Sequence, residues 1–141
     1  MTTVRDIMTE GADSVEGSTT VLEVAKRLAA EDYGSLPICD GDKLQGMITD
    51  RDIVVKVLAE GKDPATTKVI DLVQGEVVTI GADDTVEEAM RTMAEHQVRR
   101  LPVIDGHDLV GMVSQADISQ NLSGVQTGAL VEDISSSPAN N

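Results

Sequence analysis

A chain that spells the same pattern twice is constrained to build the same small unit twice. This 141-residue sequence, shifted by 65 positions, aligns residues 4–59 with 69–124 without a gap and gives 15 identities in 56 positions. Leu36-Pro37-Ile38 falls on Leu101-Pro102-Val103, and Asp40-Gly41 falls on Asp105-Gly106. Gly46-Met47-Ile48-Thr49 falls on Gly111-Met112-Val113-Ser114, and Val4-Arg5-Asp6-Ile7 falls on Val69-Ile70-Asp71-Leu72. Prolines, glycines and apolar positions are kept in register together. A unit of about 55 residues is marginal alone, so two copies that cover each other's open sheet face are expected.

Each copy predicts the same element order. Residues 13–17 and 77–81 read as short strands. Thr20-x-x-Glu23 and Thr85-x-x-Glu88 are capping boxes that satisfy free amides at a helix start. The helices expected over 21–32 and 86–97 carry Val21, Val24, Ala25 and Leu28, and Val86, Ala89, Met90 and Met93, on one face. Gly34 suits the exit of the first helix. Strands follow at 36–39 and 44–48, and again at 101–104 and 109–113, with Asp40-Gly41 and Asp105-Gly106 as hairpin turns. A last helix begins after Thr49 or Ser114, and the first of these is expected to stop near Gly61. The fold class is α+β: two βαββα repeats packed with pseudo-two-fold symmetry. Residues 1–62 form repeat 1 with its N-terminal segment, 63–124 a linker and repeat 2, and 125–141 a partly disordered tail.

Composition narrows the function. The net charge is −14, from 25 Asp and Glu against 11 Lys and Arg. No broad basic face for duplex nucleic acid is available, and acidity repels anionic membranes. Tyr33 is the only aromatic residue, so the core is aliphatic and no base-stacking platform exists. Cys39 is the only cysteine, which excludes an internal disulfide and a zinc-cysteine cluster. No apolar stretch approaches the ~20 residues of a membrane span, and the first residues lack signal-peptide character. A reduced cytoplasmic protein is expected.

The chemistry-bearing motif is Gly46-Met47-Ile48-Thr49-Asp50-Arg51-Asp52, repeated as Gly111-Met112-Val113-Ser114-Gln115-Ala116-Asp117. One reading is structural: Thr49-x-x-Asp52 and Ser114-x-x-Asp117 cap a helix, and an acid in the first turn suits its dipole. The other is functional. Amides at a helix start attract phosphate, and a carboxylate accepts hydrogen bonds from a ribose diol. Glycine at 46 or 111 lets the backbone approach a flat base. Together these fit an adenosine nucleotide.

The βαββα order, the tandem copy, the Leu-Pro-Ile/Val strand and the Gly-h-h-Thr/Ser-x-x-Asp motif resemble a pair of CBS domains, a Bateman module, over about residues 4–124. The chain is similar to stand-alone bacterial proteins of this kind, including the hypoxic response protein group. The resemblance implies reversible binding of AMP, ADP, ATP, NAD or S-adenosylmethionine between repeats, with no required cofactor, and a homodimer. Carried over by position, Thr49 and Asp52 serve one site and Ser114 and Asp117 the other. Backbone near Val15 and Ser35–Pro37, and near Ile80 and Arg100–Pro102, frames the bases.

The copies also differ. Arg51 corresponds to Ala116, and Arg99 and Arg100 correspond to Gly34 and Ser35. An acidic protein that binds a polyanion must concentrate positive charge locally, and Arg51, Arg99 and Arg100 are the candidates. Arg99 and Arg100 are strand neighbours that point to opposite faces, so at most one enters a given cleft. Magnesium with ATP is the other way to reduce repulsion. His96 and His107 stand outside any ligand-like cluster, Asp40-Gly41-Asp42 reads as a turn, and Cys39 reads as core packing. The helix from Asp52 to Leu58 is apolar nearly all round, unlike its counterpart from Asp117, and Val54, Val55 or Leu58 is expected at a homodimer interface. Three functions are weighed: a regulatory nucleotide-binding module acting through an unidentified effector protein, a ligand-free scaffold, and an enzyme. No catalytic constellation supports the third.

Overall fold

Apolar periods of two and of 3.6 residues alternate along the chain, and the structure, a computed structural model, turns them into strands and helices in that order. It describes residues 2–11, 13–31 and 34–121. The elements are α1 (Val4–Ile7), β1 (Thr9–Glu10), β2 (Val15–Glu16), α2 (Val21–Glu31), β3 (Ser35–Asp40), β4 (Lys43–Thr49) and α3 (Asp50–Ile53). A π-helical stretch, Val54–Leu58, extends α3, and a 3-10 turn covers Val69–Leu72. Then come β5 (Ile80–Gly81), α4 (Val86–His96), β6 (Arg100–Asp105), β7 (Asp108–Ser114) and α5 (Gln115–Ser119). The mixed α and β repeat expected from the sequence is present twice. The tail from 125 onward and Tyr33 lie outside the described residues.

Two compact units form, and they are not the two contiguous halves. One spans residues 13–77; the other combines the N-terminal segment with residues from 78 onward. In the first unit β2 runs parallel to β3 and β3 antiparallel to β4. The stripe Val21, Val24 and Leu28 of α2 packs on Val15, Leu36, Ile38 and Ile48, with Ile53 and Val57 closing one side. In the second unit β5, β6 and β7 repeat this arrangement, and β1 adds an antiparallel edge to β7. There Val86, Ala89 and Met93 pack on Ile80, Leu101, Val103, Val113 and Ile118. Both cores are aliphatic, as the lack of aromatics requires.

The segment that precedes each repeat packs into the core of the other. Val69 and Leu72 belong to the Val15–Val57 cluster, whereas Val4 belongs to the Ile80–Ile118 cluster. The hydrogen bonds repeat at the same 65-residue offset. Val4 N donates to Asp84 O and Arg5 N to Ala82 O, each at 2.9 Å; Val69 N donates to Thr19 O and Ile70 N to Gly17 O, at 3.0 and 3.1 Å. Single bridges Thr3–Thr85 and Thr20–Lys68 extend both contacts. Arg5 also reaches Asp83 and Asp105 with its guanidinium, at 3.4 and 3.2 Å. These exposed pairs add little beside the burial of Val4.

Several local expectations change. The strands read over 13–17 and 77–81 shorten to two residues each, because only Val15 and Ile80 are buried there. The second helix ends at His96, and Gln97 turns left-handed at φ 55° to cap it. Gly34 offers its carbonyl to Asp50 N. Asp40-Gly41 and Asp105-Gly106 do turn as expected, with φ 62° at Gly41 and 67° at Gly106. Of the capping boxes at Thr20 and Thr85, the hydroxyl arm forms, accepting from Glu23 N and Glu88 N. The π-helical run stops earlier than expected, at Leu58, and Gly61, at φ 72°, lies in the turn that follows.

The exchanged segments give a sharp test. Val4 is fully buried, so Val4→Ala costs about 2 kcal/mol in urea unfolding. Its extra hydrogen exchange is expected at residues 78–121, the far half of the sequence. A response confined to residues 13–77 contradicts this packing.

Candidate functional site

Side chains alternate faces along a strand, and the register therefore selects which residues can share a site. In the first unit Ser35 lies opposite Thr49 and Pro37 opposite Met47. Their neighbours Leu36, Ile38 and Ile48 face the core, so these four residues occupy the other face. In the second unit Arg100 lies opposite Ser114 and Pro102 opposite Met112, on the face away from Leu101, Val103 and Val113. The register thus groups Ser35, Pro37 and Thr49 on one ribbon and Arg100, Pro102 and Ser114 on the other. Ser35 is 4% exposed and its hydroxyl has no hydrogen-bond partner among the described residues. An unsatisfied buried hydroxyl costs free energy, which makes it a natural place for a bound polar group.

Each ribbon ends where its helix begins, and both helix starts carry a complete capping box. Thr49 N donates to Asp52 Oδ2 and Asp52 N to Thr49 Oγ1, both at 3.0 Å. Ser114 N donates to Asp117 Oδ2 at 2.8 Å and Asp117 N to Ser114 Oγ at 3.1 Å. The structural reading of the motif therefore holds for both copies, and any ligand must add to it. All four side chains remain partly exposed.

Beyond the box the copies diverge. Asp50 N donates to Gly34 O at 3.1 Å and Arg51 N to Asp50 Oδ1 at 2.7 Å. The first three helix amides of repeat 1 are thus occupied, which corrects the expectation of open amides there. In repeat 2 Gln115 N donates to Arg99 O at 2.8 Å. Gln115 is not an acid, and Ala116 N meets no acceptor among the described residues. The remaining oxygen of Asp52, Oδ1, pairs with Lys56 Nζ at 3.4 Å. Asp117 makes no ion pair among the described residues.

The arginine candidates separate. Arg51 is exposed on the first turn of α3. Arg99 is exposed and precedes β6 rather than lying within it, while Arg100 is half-buried on the strand. Only Arg100 shares a face with the motif hydroxyl of its repeat. His96 and His107 are exposed. Cys39 is buried, and burial pushes its thiol up and away from reactivity. Among the described residues no three His, Cys, Asp or Glu side chains gather as a metal site, and no helix is long and apolar enough to cross a membrane.

The glycines of the motif serve a purpose other than the expected one. A Cβ on Gly46 would meet Val73 Cγ2 at 2.9 Å, and one on Gly111 would meet Thr9 O at 2.6 Å and Met8 Sδ at 2.8 Å. Val73 and Met8 are again 65 residues apart. The close approach is made by the exchanged segments, so the need for glycine comes from the fold and not from a base. Lys56, Asp50 and these contacts were not singled out from the sequence. Lys56 carried a signal, since it stands four residues after Asp52 on a helix.

Two CBS domains are recognised, at residues 4–59 and 69–124. The chain belongs to the CBS-domain family. It is 46% identical over 123 residues to hypoxic response protein 1 of Mycobacterium tuberculosis, covering 86% of each chain. The crystal structure of that protein with two coordinated zinc ions superposes with a TM-score of 0.81, covering 86% of this chain and all of the other. CBSX2 in complex with AMP is 25% identical with a TM-score of 0.75, over 86% of this chain and 96% of the other. The CBS domain pair of protein MJ0100, in complex with 5'-methylthioadenosine and S-adenosyl-L-methionine, is 29% identical with a TM-score of 0.72, over 86% and 95%. A regulatory ligand-binding module is the common denominator.

Glycine replacement distinguishes the two close approaches. Gly111→Ala drives a Cβ against backbone and is expected to cost about 3 kcal/mol, at the upper end for overpacking. Gly46→Ala meets only a valine side chain, costs about 1 kcal/mol, and is relieved by adding Val73→Ala. Equal costs in denaturant unfolding contradict this assignment.

Proposed function

We propose that this CBS protein is a regulatory module that binds an adenosine nucleotide of the AMP, ADP or ATP type, and that it senses energy or stress as a homodimer in the cytoplasm. The reading rests most on one observation: a buried Ser35 hydroxyl, without a partner among the described residues, on the strand directly opposite Thr49 of the motif. Thr49 with Asp52, and Ser114 with Asp117, are the groups that would hold the ribose. Ser35, Pro37 and Pro102 would line the base. Arg100 is the best placed of Arg51, Arg99 and Arg100 for phosphate, because it alone lies opposite a motif hydroxyl. The AMP bound by CBSX2 and the S-adenosyl-L-methionine bound by the MJ0100 pair support an adenosine ligand. No metal or cofactor is needed for binding of this kind, and the output would pass through an effector protein rather than through catalysis.

A second reading has its own support. In repeat 1 the capping box, Asp50 and Lys56 satisfy the polar groups at the helix start without any ligand. A scaffold that keeps the fold and binds nothing would look the same there. Thermal melting against AMP, ADP and ATP separates the two. A ligand at about 100 times its Kd stabilises the folded state by ~2.7 kcal/mol, and Asp117→Asn is expected to remove most of that gain. No shift with any of the three nucleotides leaves the scaffold.

The homodimer is proposed from the helix that follows the first motif. Val54, Val55 and Leu58 are 56%, 47% and 57% exposed, a cluster of large aliphatic side chains on one short stretch. Val55→Glu is expected to shift sedimentation from dimer to monomer while leaving the melting of the monomer intact. An unchanged sedimentation coefficient removes Val55 from the interface.

A further inference from the structure

The two copies of the motif carry the same Thr/Ser-x-x-Asp, but they differ four residues later, where Lys56 stands against Asn121. Lys56 Nζ lies 3.4 Å from Asp52 Oδ1 and donates to Leu72 O at 3.3 Å. With Oδ2 already accepting from Thr49 N, both oxygens of Asp52 are engaged inside the protein. Two anchors hold the ammonium in place: the carboxylate on its own helix and a carbonyl of the packed Val69–Leu72 turn. Both side chains are largely covered, which screens the pair less than an open surface pair. Asn121 does the opposite. Its amide donates to the backbone oxygen of Asp117 at 2.8 Å, and the second oxygen of the Asp117 carboxylate takes no bond among the described residues.

We infer that Lys56 is a specificity-determining residue that occludes the repeat 1 carboxylate, so that the two sites are unequal and a ribose diol binds first at Ser114 and Asp117. The inference rests on the nucleotide reading given above and deepens it. A diol that bonds to Asp52 Oδ1 competes there with an ammonium ion. The same diol reaches Asp117 at no such cost. The ion pair follows the favourable orientation on a helix, acid before base at a spacing of four. The asymmetry is therefore written into a single residue position, and exchanging the residue should exchange the behaviour.

The test is a titration of the full chain with AMP at about 150 mM salt, followed by the amide NMR signals of Asp52 and Asp117 separately. In the unmodified protein the Asp117 site is expected to saturate first. Lys56→Met should lower the Kd read at Asp52 by about fivefold, the size expected of a partly covered ion pair, and leave the Asp117 value unchanged. Asn121→Lys should raise the Kd read at Asp117 by about fivefold. If instead Lys56 assists binding by attracting phosphate, both signs reverse, and the inference is overturned while the nucleotide reading stands. Unchanged values in both variants, with AMP still bound, overturn it equally. If AMP moves neither signal in any of the three proteins, it is the nucleotide reading itself that fails.

Discussion

Two pairs of backbone hydrogen bonds hold this architecture together. Val4 and Arg5 dock on the turn at residues 82–84, and Val69 and Ile70 dock on the turn at residues 17–19. Each docking buries one valine in a core that its own repeat does not own. A three-stranded sheet with two helices has too little apolar area to be robust alone. The borrowed valine and the amides that accompany it complete the layer. The consequence is a chain whose halves depend on one another through covalent connectivity as well as through contact.

The same constraint reaches the motif. Met8 and Val73, just past the docked residues, lie over Gly111 and Gly46. A methyl group at either glycine would push the segment away. Three and six residues after each glycine, a hydroxyl and a carboxylate close the capping box that turns the strand into a helix. The residues that define the CBS motif are thus structural before they are functional. Their hydroxyls lie on the face of the ribbon that the core does not use, and hydroxyls and carboxylates alike stay partly exposed.

Divergence within this frame is chemically specific. Repeat 1 satisfies its own helix start with Asp50 and Lys56, while repeat 2 places Gln115 and Asn121 at the same points. Duplication supplies two equal frames, and a few polar substitutions make them unequal. Neither change disturbs the buried stripe of Val21, Val24 and Leu28 or of Val86, Ala89 and Met93, so they are free to vary without threatening the fold.

The helices, the hairpins and the motif were legible from residue order, because each depends on neighbours within a few positions. Periodicity marks a buried face, Asp-Gly marks a turn, and Thr-x-x-Asp marks a helix start. The docking of Val4 and Val69 was not legible. A four-residue turn carries no periodicity, and its partner lies about 80 residues away in one case and 50 in the other. The role of Gly46 and Gly111 was misread for the same reason: a missing side chain shows that something comes close, and only the folded chain shows what. Sequence by itself determined the doubled βαββα plan and the Thr/Ser-x-x-Asp motif at each helix start, since both are local chemistry. Tertiary structure decided which segment completes which core and which carboxylate is already taken, since those outcomes depend on contacts between residues that the linear order keeps apart.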